Sequence, residues 1–526
     1  MIVLKKKENR SGGDRPFTRK DMEKVRKALQ TQKKEEKEIL HVEERTRKVN
    51  REIRLASVLF VLMFVATIGY FGYYLIVRSQ DTINSAYNSR LDTFSEKVVR
   101  GQILGSGGEV LARTVEDDEG NETREYPYAN LFAHVVGYSA SGKTGLEASA
   151  NQYLLESHIN VVDQVNNELN EVKNQGDNVV TTLDPDLQQL AYDVLGDYNG
   201  ACVIMEPSTG KILAMVSKAD YNPNTISEDW EELTAETNQN ANLLNRATQG
   251  LYPPGSTFKL LTALEYIREY PTTWQSYQFE CEGTFPYGDA VMSCYEGHVH
   301  GLLDLRLSLA NSCNTSFANI GEQLNADSFH SLCESFLFNS ELPLPSGMEY
   351  SESSFVMDGT SGLAERVQTA IGQGRTMISP IHNAMIVSTI ANGGTLMNPY
   401  VIDRVESADG KVVEQFMPSA YGKLMSADEA ETLTNFMVAV VNEGTSPSLQ
   451  SDSYQVAGKT GSAEFSSNKD ESHAWFVGFA PADNPEIVIS IIYENGGLGG
   501  SVATRGAKAI FEGYFSRQES QSQQSQ

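Results

Sequence analysis

The pattern of hydrophobic positions becomes dense after Gly176. The residue pattern predicts six strands there, over 178–184, 201–206, 212–216, 455–465, 473–480 and 486–493. Between about 270 and 440 the spacing is mostly helical, and a closing helix is predicted over 502–515. Strands at both ends, helices between them and a helix last predict an α+β domain over 176–517. Its antiparallel sheet would be completed by both ends of the domain, with flanking helices and a helical subdomain.

The stretch before this domain has a sparser pattern and predicts a separate, small α+β pedestal over 78–175. Short strands are predicted over 98–104, 109–113 and 131–137, and a helical segment over 154–172. After the main domain, residues 518–526 are rich in Ser and Gln, and this composition predicts a disordered tail.

An uncharged apolar run from Leu55 to Val77 is long enough to cross a bilayer. Several Arg and Lys side chains precede it, so the positive-inside rule predicts that the N-terminus is cytoplasmic and the C-terminal bulk is outside the cell. A cleaved signal peptide is disfavoured because the run is too long and starts late. The sequence therefore predicts a single uncleaved anchor over 55–77 behind a basic cytoplasmic tail, residues 1–54, that is partly helical.

Charge divides the chain in the same way. Residues 1–54 hold 18 Lys and Arg against 10 Asp and Glu, a net charge of +8. The remaining residues hold 24 basic against 59 acidic side chains, a net charge of −35. An acidic body of this kind argues against nucleic acid as a partner.

Five cysteines occur, at 202, 281, 294, 313 and 333, and an odd number in an exported domain leaves at least one thiol free. Cys281 and Cys294 flank a turn-rich stretch and are able to pair, although plain packing explains them as well. The chain has no C-x-x-C and no H-E-x-x-H motif, and its eight histidines are scattered. The sequence therefore predicts no metal-ligand cluster.

The candidate nucleophile lies in the segment Tyr252-Pro-Pro-Gly-Ser-Thr-Phe-Lys259. Two prolines and a glycine predict a tight turn, after which helical apolar spacing begins, so Ser256 is predicted at a helix N-terminus with Lys259 three residues on. A lysine there can act as the base for the serine if burial and nearby positive charge lower its pKa. Two other S-x-x-K matches begin at Ser208 and Ser466, but neither opens an apolar helix.

Two further motifs offer partners for this serine. Ser312 and Asn314 lie between two apolar helical stretches, and they can face one cleft only if their link is non-helical. Lys459-Thr460-Gly461, followed by Ser462, lies on a predicted strand, where a cation and a hydroxyl would bind a carboxylate and the glycine would let a peptide backbone approach. A second Lys-Thr-Gly, at 143–145, lies in a Gly/Ser-rich loop and is interpreted as a chance match.

With these three motifs in order, the chain resembles the penicillin-binding proteins, specifically the class B peptidoglycan transpeptidases. It is similar to the short type called penicillin-binding protein A. Further segments carry the resemblance: 100–103, 134–138, 145–147, 181–184, 207–215, 221–224, 372–374 and 391–394. One departure is Gly105-Ser-Gly-Gly108, where many class B members have an Asp-Arg-Asn-Gly type of turn. The resemblance implies the penicillin-binding transpeptidase fold, which is also that of the serine beta-lactamases.

The resemblance also implies partners and a mechanism that needs no cofactor and no metal. Ser256 would attack the D-Ala–D-Ala bond of a peptidoglycan stem peptide, with Lys259 as base, and beta-lactams would acylate the same serine. Ser312 and Lys459 would move a proton, and Asn314 would orient the peptide. Thr460 and Lys459 would bind the terminal carboxylate, with Gly461 and Ser462 beside it. The backbone N–H groups of Ser256 and Ser462 would form the oxyanion hole. The expected setting is the bacterial cell membrane, in its lipid bilayer, together with a partner glycosyltransferase.

Three alternatives stay open from the motifs. A D,D-carboxypeptidase or endopeptidase would use the same residues with water as the acceptor. A serine beta-lactamase would need rapid deacylation and usually lacks such a pedestal. A non-catalytic scaffold or beta-lactam sensor would use the fold only for binding, although the intact motifs argue against it.

Overall fold

The computed structural model describes residues 18–74, 97–464 and 472–524. Its internal contacts divide the chain into two units, 1–79 and 80–526. In the first unit, a single helix, α1 (Arg19–Tyr73), joins the predicted basic helical segment and the predicted anchor without a break. Its segment Met22–Tyr73 contains a stretch that is long and apolar enough to cross a membrane. Residues 75–77 of the predicted anchor lie outside the described residues.

The second unit contains the remaining elements. Its helices are α2 (Ala133–Val136), α3 (Gly145–Ser149), α4 (Asn151–Leu155), α5 (Val161–Leu169), α6 (Pro185–Leu195), α7 (Ile226–Leu233), α8 (Lys259–Glu269), α9 (Leu305–Ala310), α10 (Asn314–Gln323), α11 (Ala326–Ser335), α12 (Leu363–Ala370), α13 (Pro380–Ala391), α14 (Ala427–Asn442) and α15 (Val502–Gln524). Its strands are β1 (Val98–Val99), β2 (Ile103–Leu104), β3 (Val110–Glu116), β4 (Glu122–Glu125), β5 (Asn174–Gln175), β6 (Asn178–Thr181), β7 (Gly200–Met205), β8 (Ile212–Lys218), β9 (Phe279–Cys281), β10 (Thr284–Tyr287), β11 (Ala290–Ser293), β12 (Gly301–Leu303), β13 (Thr395–Met397), β14 (Ile402–Glu406), β15 (Val412–Gln415), β16 (Ala420–Lys423), β17 (Ala457–Glu464), β18 (Ser472–Ala480) and β19 (Ile487–Tyr493).

The central sheet has five strands in the order β17-β18-β19-β7-β8, and every neighbouring pair is antiparallel. Strands from both ends of the domain therefore meet in one sheet, as the sequence predicts. Every residue of β7 and β19 is buried, which follows from helices covering both faces. Along β19, Ile489 and Ile491 pack with α6 and α15, whereas Val488 and Ile492 belong to the larger core that contains α8 and α13.

A second, six-stranded sheet has the order β15-β14-β6-β2-β3-β4. Strands β2, β3 and β4 come from the predicted pedestal, and β6, β14 and β15 come from the predicted main domain. The predicted boundary between residues 175 and 176 thus lies inside one compact unit, and hydrogen-bonded strands cross it.

Three predictions from the local pattern are wrong. The strand predicted over 131–137 is a 3₁₀ turn, Ala129–Phe132, followed by α2, because a short apolar run fits a buried helix as well as a strand. The helix predicted over 154–172 is interrupted between α4 and α5. The tail predicted to be disordered from residue 518 continues as α15 to Gln524, because Gln and Glu are good helix formers. The mostly helical stretch between 270 and 440 also contains three two-stranded sheets.

Candidate active site

Ser256 lies in a 3₁₀ turn, Gly255–Thr257, which leads directly into α8. Pro253 and Pro254 exclude a helix before this point, and Thr257 fixes the turn by donating from Oγ1 to the carbonyl oxygen of Pro254 at 2.8 Å. The predicted position at a helix entrance is therefore confirmed. The side chain of Ser256 is half-buried, and its hydroxyl has no hydrogen-bond partner among residues 18–74, 97–464 and 472–524.

The turn is held against a neighbouring loop by a contact that only glycine permits. Gly255 has a φ of 53° and donates its N–H to the carbonyl oxygen of Gly372 at 2.9 Å. A Cβ on Gly372 would lie 1.9 Å from the carbonyl oxygen of Gly255. The Gly372-Gln-Gly374 segment thus sets the position of the turn that carries Ser256 through backbone contact.

This contact predicts different effects for two glycines in the same loop. Both have a left-handed φ, 77° at Gly372 and 80° at Gly374, but a Cβ on Gly374 would meet no atom closer than 3.8 Å. Gly372→Ala is expected to lower the free energy of unfolding by about 3 kcal/mol or more through overpacking. Gly374→Ala should lower the free energy of unfolding by only about 1 kcal/mol, because the one cost is the strain of alanine in a left-handed backbone conformation. Thermal unfolding of the two purified full-length variants measures the difference, and equal losses would show that the close contact does not matter.

Lys259 is completely buried and points to the link between α9 and α10. Its Nζ donates to the carbonyl oxygen of Ser312 at 2.8 Å and to Oδ1 of Asn314 at 2.7 Å, and it lies 3.4 Å from the Ser312 hydroxyl. Burial lowers the pKa of Lys259 to about 8. An amine with this pKa is partly neutral at physiological pH and can accept a proton.

The link itself is non-helical, as the sequence requires if Ser312 and Asn314 are to face one cleft. Helix α9 ends at Ala310, Ser312 adopts a left-handed φ of 51°, and α10 begins at Asn314. This conformation is uncommon for a residue with a Cβ and is held by the contacts that surround it. Asn314 is fixed further by donating from Nδ2 to the carbonyl oxygen of Ser293 at 3.1 Å.

Strand β17 brings the third motif to the same link. Lys459 is completely buried, and its Nζ donates to the Ser312 hydroxyl at 2.9 Å and to the carbonyl oxygen of Thr460 at 2.8 Å. Burial, and then the charge of Lys259, hold the pKa of Lys459 well below its usual range. Two amines therefore share the Ser312 hydroxyl, and their proton occupancies are linked.

The next residues of β17 lie against the turn that carries Ser256. A Cβ on Gly461 would lie 3.1 Å from the carbonyl oxygen of Pro254, and a Cβ on Gly255 would lie 2.7 Å from that of Ser462. Ser462 also accepts a hydrogen bond from the backbone N–H of Gly499 at 3.1 Å. The structure thus brings all eight sequence-predicted site residues to one region formed by the turn, the α9–α10 link and β17.

Sequence reasoning missed residues that hold these elements in place. Thr445 shares a hydrogen bond with the Thr460 hydroxyl at 3.0 Å, and Trp475 Nε1 donates to the carbonyl oxygen of Pro253 at 3.1 Å. Asn383 Nδ2 donates to the Thr257 hydroxyl at 3.2 Å. No motif marks them, since each acts from an element distant in the chain. A large aromatic residue on β18, opposite the Lys-Thr-Gly strand, is the one signal that pointed toward Trp475.

Four side chains behind the α9–α10 link correct the expectation that no metal-ligand cluster exists. Cys281, Cys294, His300 and Cys313 place their ligand atoms within 4.8 Å of one another. The sequence hides the cluster because its members are not arranged in a short motif. The pairing of Cys281 with Cys294 does not form, since all five cysteines are free and these two sulfur atoms lie 3.8 Å apart.

Comparison with known proteins finds similarity along most of the chain. The family described as "Penicillin binding protein transpeptidase domain" matches residues 200–512, and "Penicillin binding protein A dimerisation domain" matches residues 100–179. The peptidoglycan D,D-transpeptidase PbpA of Mycolicibacterium smegmatis is 31% identical over 430 residues, which cover 77% of this chain and 86% of that protein.

Two solved structures extend this similarity to the fold. One is penicillin-binding protein A from M. tuberculosis as its penicillin G acyl-enzyme complex, with 30% identity and a TM-score of 0.72, covering 79% of this chain and 99% of that chain. The other is a D,D-transpeptidase domain of a peptidoglycan glycosyltransferase from Eggerthella lenta, with 32% identity and a TM-score of 0.72. The match covers 80% of this chain and 99% of that chain.

Proposed function

This chain belongs to the penicillin-binding protein transpeptidase family, and from that premise we propose that it is a membrane-anchored peptidoglycan D,D-transpeptidase. It crosslinks stem peptides through an acyl-enzyme on Ser256, and beta-lactams acylate the same residue. The observation that carries the assignment is the buried Lys259 with a lowered pKa, three residues after a serine whose hydroxyl has no hydrogen-bond partner within the described part of the chain. A similar chain with penicillin G bound as an acyl-enzyme supports it.

In the first half of the reaction, Ser256 Oγ attacks the carbonyl carbon of the D-Ala–D-Ala bond while Lys259 takes its proton. The backbone N–H groups of Ser256 and Ser462 stabilise the oxyanion that forms. Ser312, which contacts both lysines, passes a proton to the departing amine, and the terminal D-Ala leaves. Asn314 orients the donor peptide from the α10 terminus.

Lys459 and Thr460 bind the terminal carboxylate of the donor. Because burial lowers the pKa of Lys459, its amine is easily neutralised in the free enzyme. A bound carboxylate supplies the opposite charge that favours the ammonium form, so substrate binding itself restores the cation. Gly461 allows the peptide backbone to lie along β17. In the second half, the amine of another stem peptide attacks the acyl-enzyme and closes the crosslink.

The assay that tests this function supplies a pentapeptide donor and an amine acceptor to the full-length protein in detergent. We expect release of one D-Ala for each crosslinked product that mass spectrometry detects. Tetrapeptide without crosslinked product would make the enzyme a D,D-carboxypeptidase. Neither product, together with no covalent beta-lactam adduct, would favour the scaffold alternative.

The pH dependence of acylation follows from Lys259. Its folded-state pKa of about 8 means that the neutral amine is the minority form below that pH and the major form above it. We expect the second-order rate of beta-lactam acylation to rise about tenfold per unit up to about pH 8 and then to level off. Stopped-flow or quenched labelling measures this profile. A rate that is constant from about pH 6 to pH 9 would contradict a lysine base with this pKa.

We also propose the cellular arrangement. The anchor at 55–77 crosses the bilayer once, the basic residues 1–54 remain cytoplasmic, and the catalytic domain lies outside the bacterial cell membrane. Support comes from the apolar α1 segment and the charged residues before it. A pedestal over 78–175 and a transpeptidase domain over 176–517 form the extracytoplasmic part, and a glycosyltransferase supplies the glycan strands. Protease treatment of intact spheroplasts should digest the C-terminal part and protect an epitope at the N-terminus.

A further inference from the structure

Three thiols and an imidazole converge behind the α9–α10 link, apart from the eight residues of the candidate active site. The thiols of Cys281, Cys294 and Cys313 are buried, and His300 is half-buried. Their potential ligand atoms all lie within 4.8 Å of one another. Acylation and transpeptidation as described use none of these four side chains.

Three of the six distances between ligand atoms of the cluster are close to those of a tetrahedral metal site. Cys294 Sγ lies 3.8 Å from Cys281 Sγ and 3.7 Å from Cys313 Sγ. Zinc–sulfur bonds of about 2.3 Å at tetrahedral angles separate two sulfur ligands by about 3.8 Å. The distance from Cys281 Sγ to His300 Nδ1 is 3.3 Å. In a tetrahedral zinc site, a sulfur ligand and a nitrogen ligand lie about 3.6 Å apart. A disulfide would need about 2.05 Å, so the spacing fits coordination and not a covalent bridge.

The fold brings the ligands from three separate elements. Cys281 ends β9, which pairs with β12 so that Cys281 lies opposite Gly301, next to His300. Cys294 directly follows the β10–β11 hairpin. Cys313 caps α10, where its sulfur accepts the backbone N–H of Ser316 at 3.4 Å. Two-stranded ribbons as short as these are only marginally stable by themselves, and a bound metal ion is a common way to stabilise them.

The surroundings favour thiolate ligands. Thr315 Oγ1 lies 3.2 Å from the sulfur atoms of Cys281 and Cys313 and 3.4 Å from that of Cys294. A hydroxyl in this position can donate to a coordinated thiolate, as outer ligands of metal sites do. The N-terminus of α10 adds a favourable dipole at Cys313.

We propose that Cys281, Cys294, His300 and Cys313 bind one zinc ion in a closed Cys₃His site. Three thiolates and one imidazole are a ligand set of structural zinc sites, and four protein ligands leave no open position for a reacting group. On binding, the three thiols release their protons to solvent and no electron is transferred. The ion also shields three buried thiols from oxidation in the compartment where the catalytic domain is proposed to lie.

The zinc ion would also position the active site. Cys313 lies between Ser312 and Asn314, and both of these neighbours accept hydrogen bonds from Lys259. Fixing Cys313 to the metal therefore fixes the left-handed backbone of Ser312 and the start of α10. Metal binding is independent of the proposed function, whereas this positioning role rests on it.

Metal analysis of the full-length protein in detergent tests the site. After dialysis against metal-free buffer, we expect elemental mass spectrometry to find about one zinc ion per chain. Cys294→Ser and His300→Ala should lose it, whereas Cys333→Ser, which changes a buried thiol on α11 outside the cluster, should retain it. Cobalt loaded into the wild-type protein should give the visible absorption of tetrahedral thiolate ligation. Wild-type protein from zinc-supplemented cultures that carries no zinc, or that contains a Cys281–Cys294 disulfide, would overturn the proposal.

A second measurement tests positioning. Removing zinc with a chelator should slow beta-lactam acylation about tenfold, and added zinc should restore the rate, which also shows that the fold survived. Ser256→Ala should keep its zinc while losing acylation, so failure of the metal site and failure of the proposed function give different results. An unchanged acylation rate in the zinc-free protein would refute the positioning role.

Discussion

Replacing Ser256 with alanine is expected to abolish covalent labelling by a fluorescent penicillin. The substitution removes the oxygen that we propose forms the acyl bond, so we expect a loss of at least about 10³-fold. Labelling of the full-length protein, read on a denaturing gel and as a mass increase, measures it. Cells that depend on this enzyme should also lose its crosslinks when they carry Ser256→Ala.

The chain contains its own matched control. Ser208 begins another S-x-x-K match, but it lies in the turn between β7 and β8. Ser208→Ala should therefore be labelled like the wild-type protein. Labelling that survives in Ser256→Ala would place the nucleophile elsewhere. Label that forms and is then rapidly released by the wild-type protein would identify a beta-lactamase.

Lys259→Met is expected to reduce the acylation rate about 10³-fold while the protein remains folded. Methionine keeps most of the length of the lysine side chain, and it replaces a completely buried amine by an apolar group. The free energy of unfolding should change little, because burying a charge is costly and the variant avoids this cost. Quenched labelling gives the rate, and thermal unfolding shows whether the fold is intact.

Lys211→Met provides the comparison, because Lys211 ends the S-x-x-K match that begins at Ser208 and is only partly buried. Its acylation rate should equal that of the wild-type protein. If Lys259→Met is also acylated at the wild-type rate, Lys459 acting through the Ser312 hydroxyl would have to be the base, since it is the second amine on that hydroxyl.

How far the sequence leads depends on whether the relevant signal is local. The turn at Ser256 was predictable because two prolines, a glycine and helical apolar spacing follow each other within a few residues. The strands β18 and β19 were predictable for the same reason, since each is a largely apolar run. The stretch 131–137 was not, because its apolar run is too short to separate strand from helix.

By itself, the sequence predicted that strands from both ends of the domain form one antiparallel sheet, and it predicted the family and the eight residues of the candidate site. Only the tertiary structure decided that Lys259 bonds to Ser312 and Asn314 instead of to Ser256, and that Lys459 shares the Ser312 hydroxyl. It also decided that strands on both sides of residue 175 share a sheet and that Cys281 and Cys313 become neighbours. The physical reason is that periodicity records which face of an element is buried, whereas these contacts join segments distant in the chain whose approach is set by packing of the whole core.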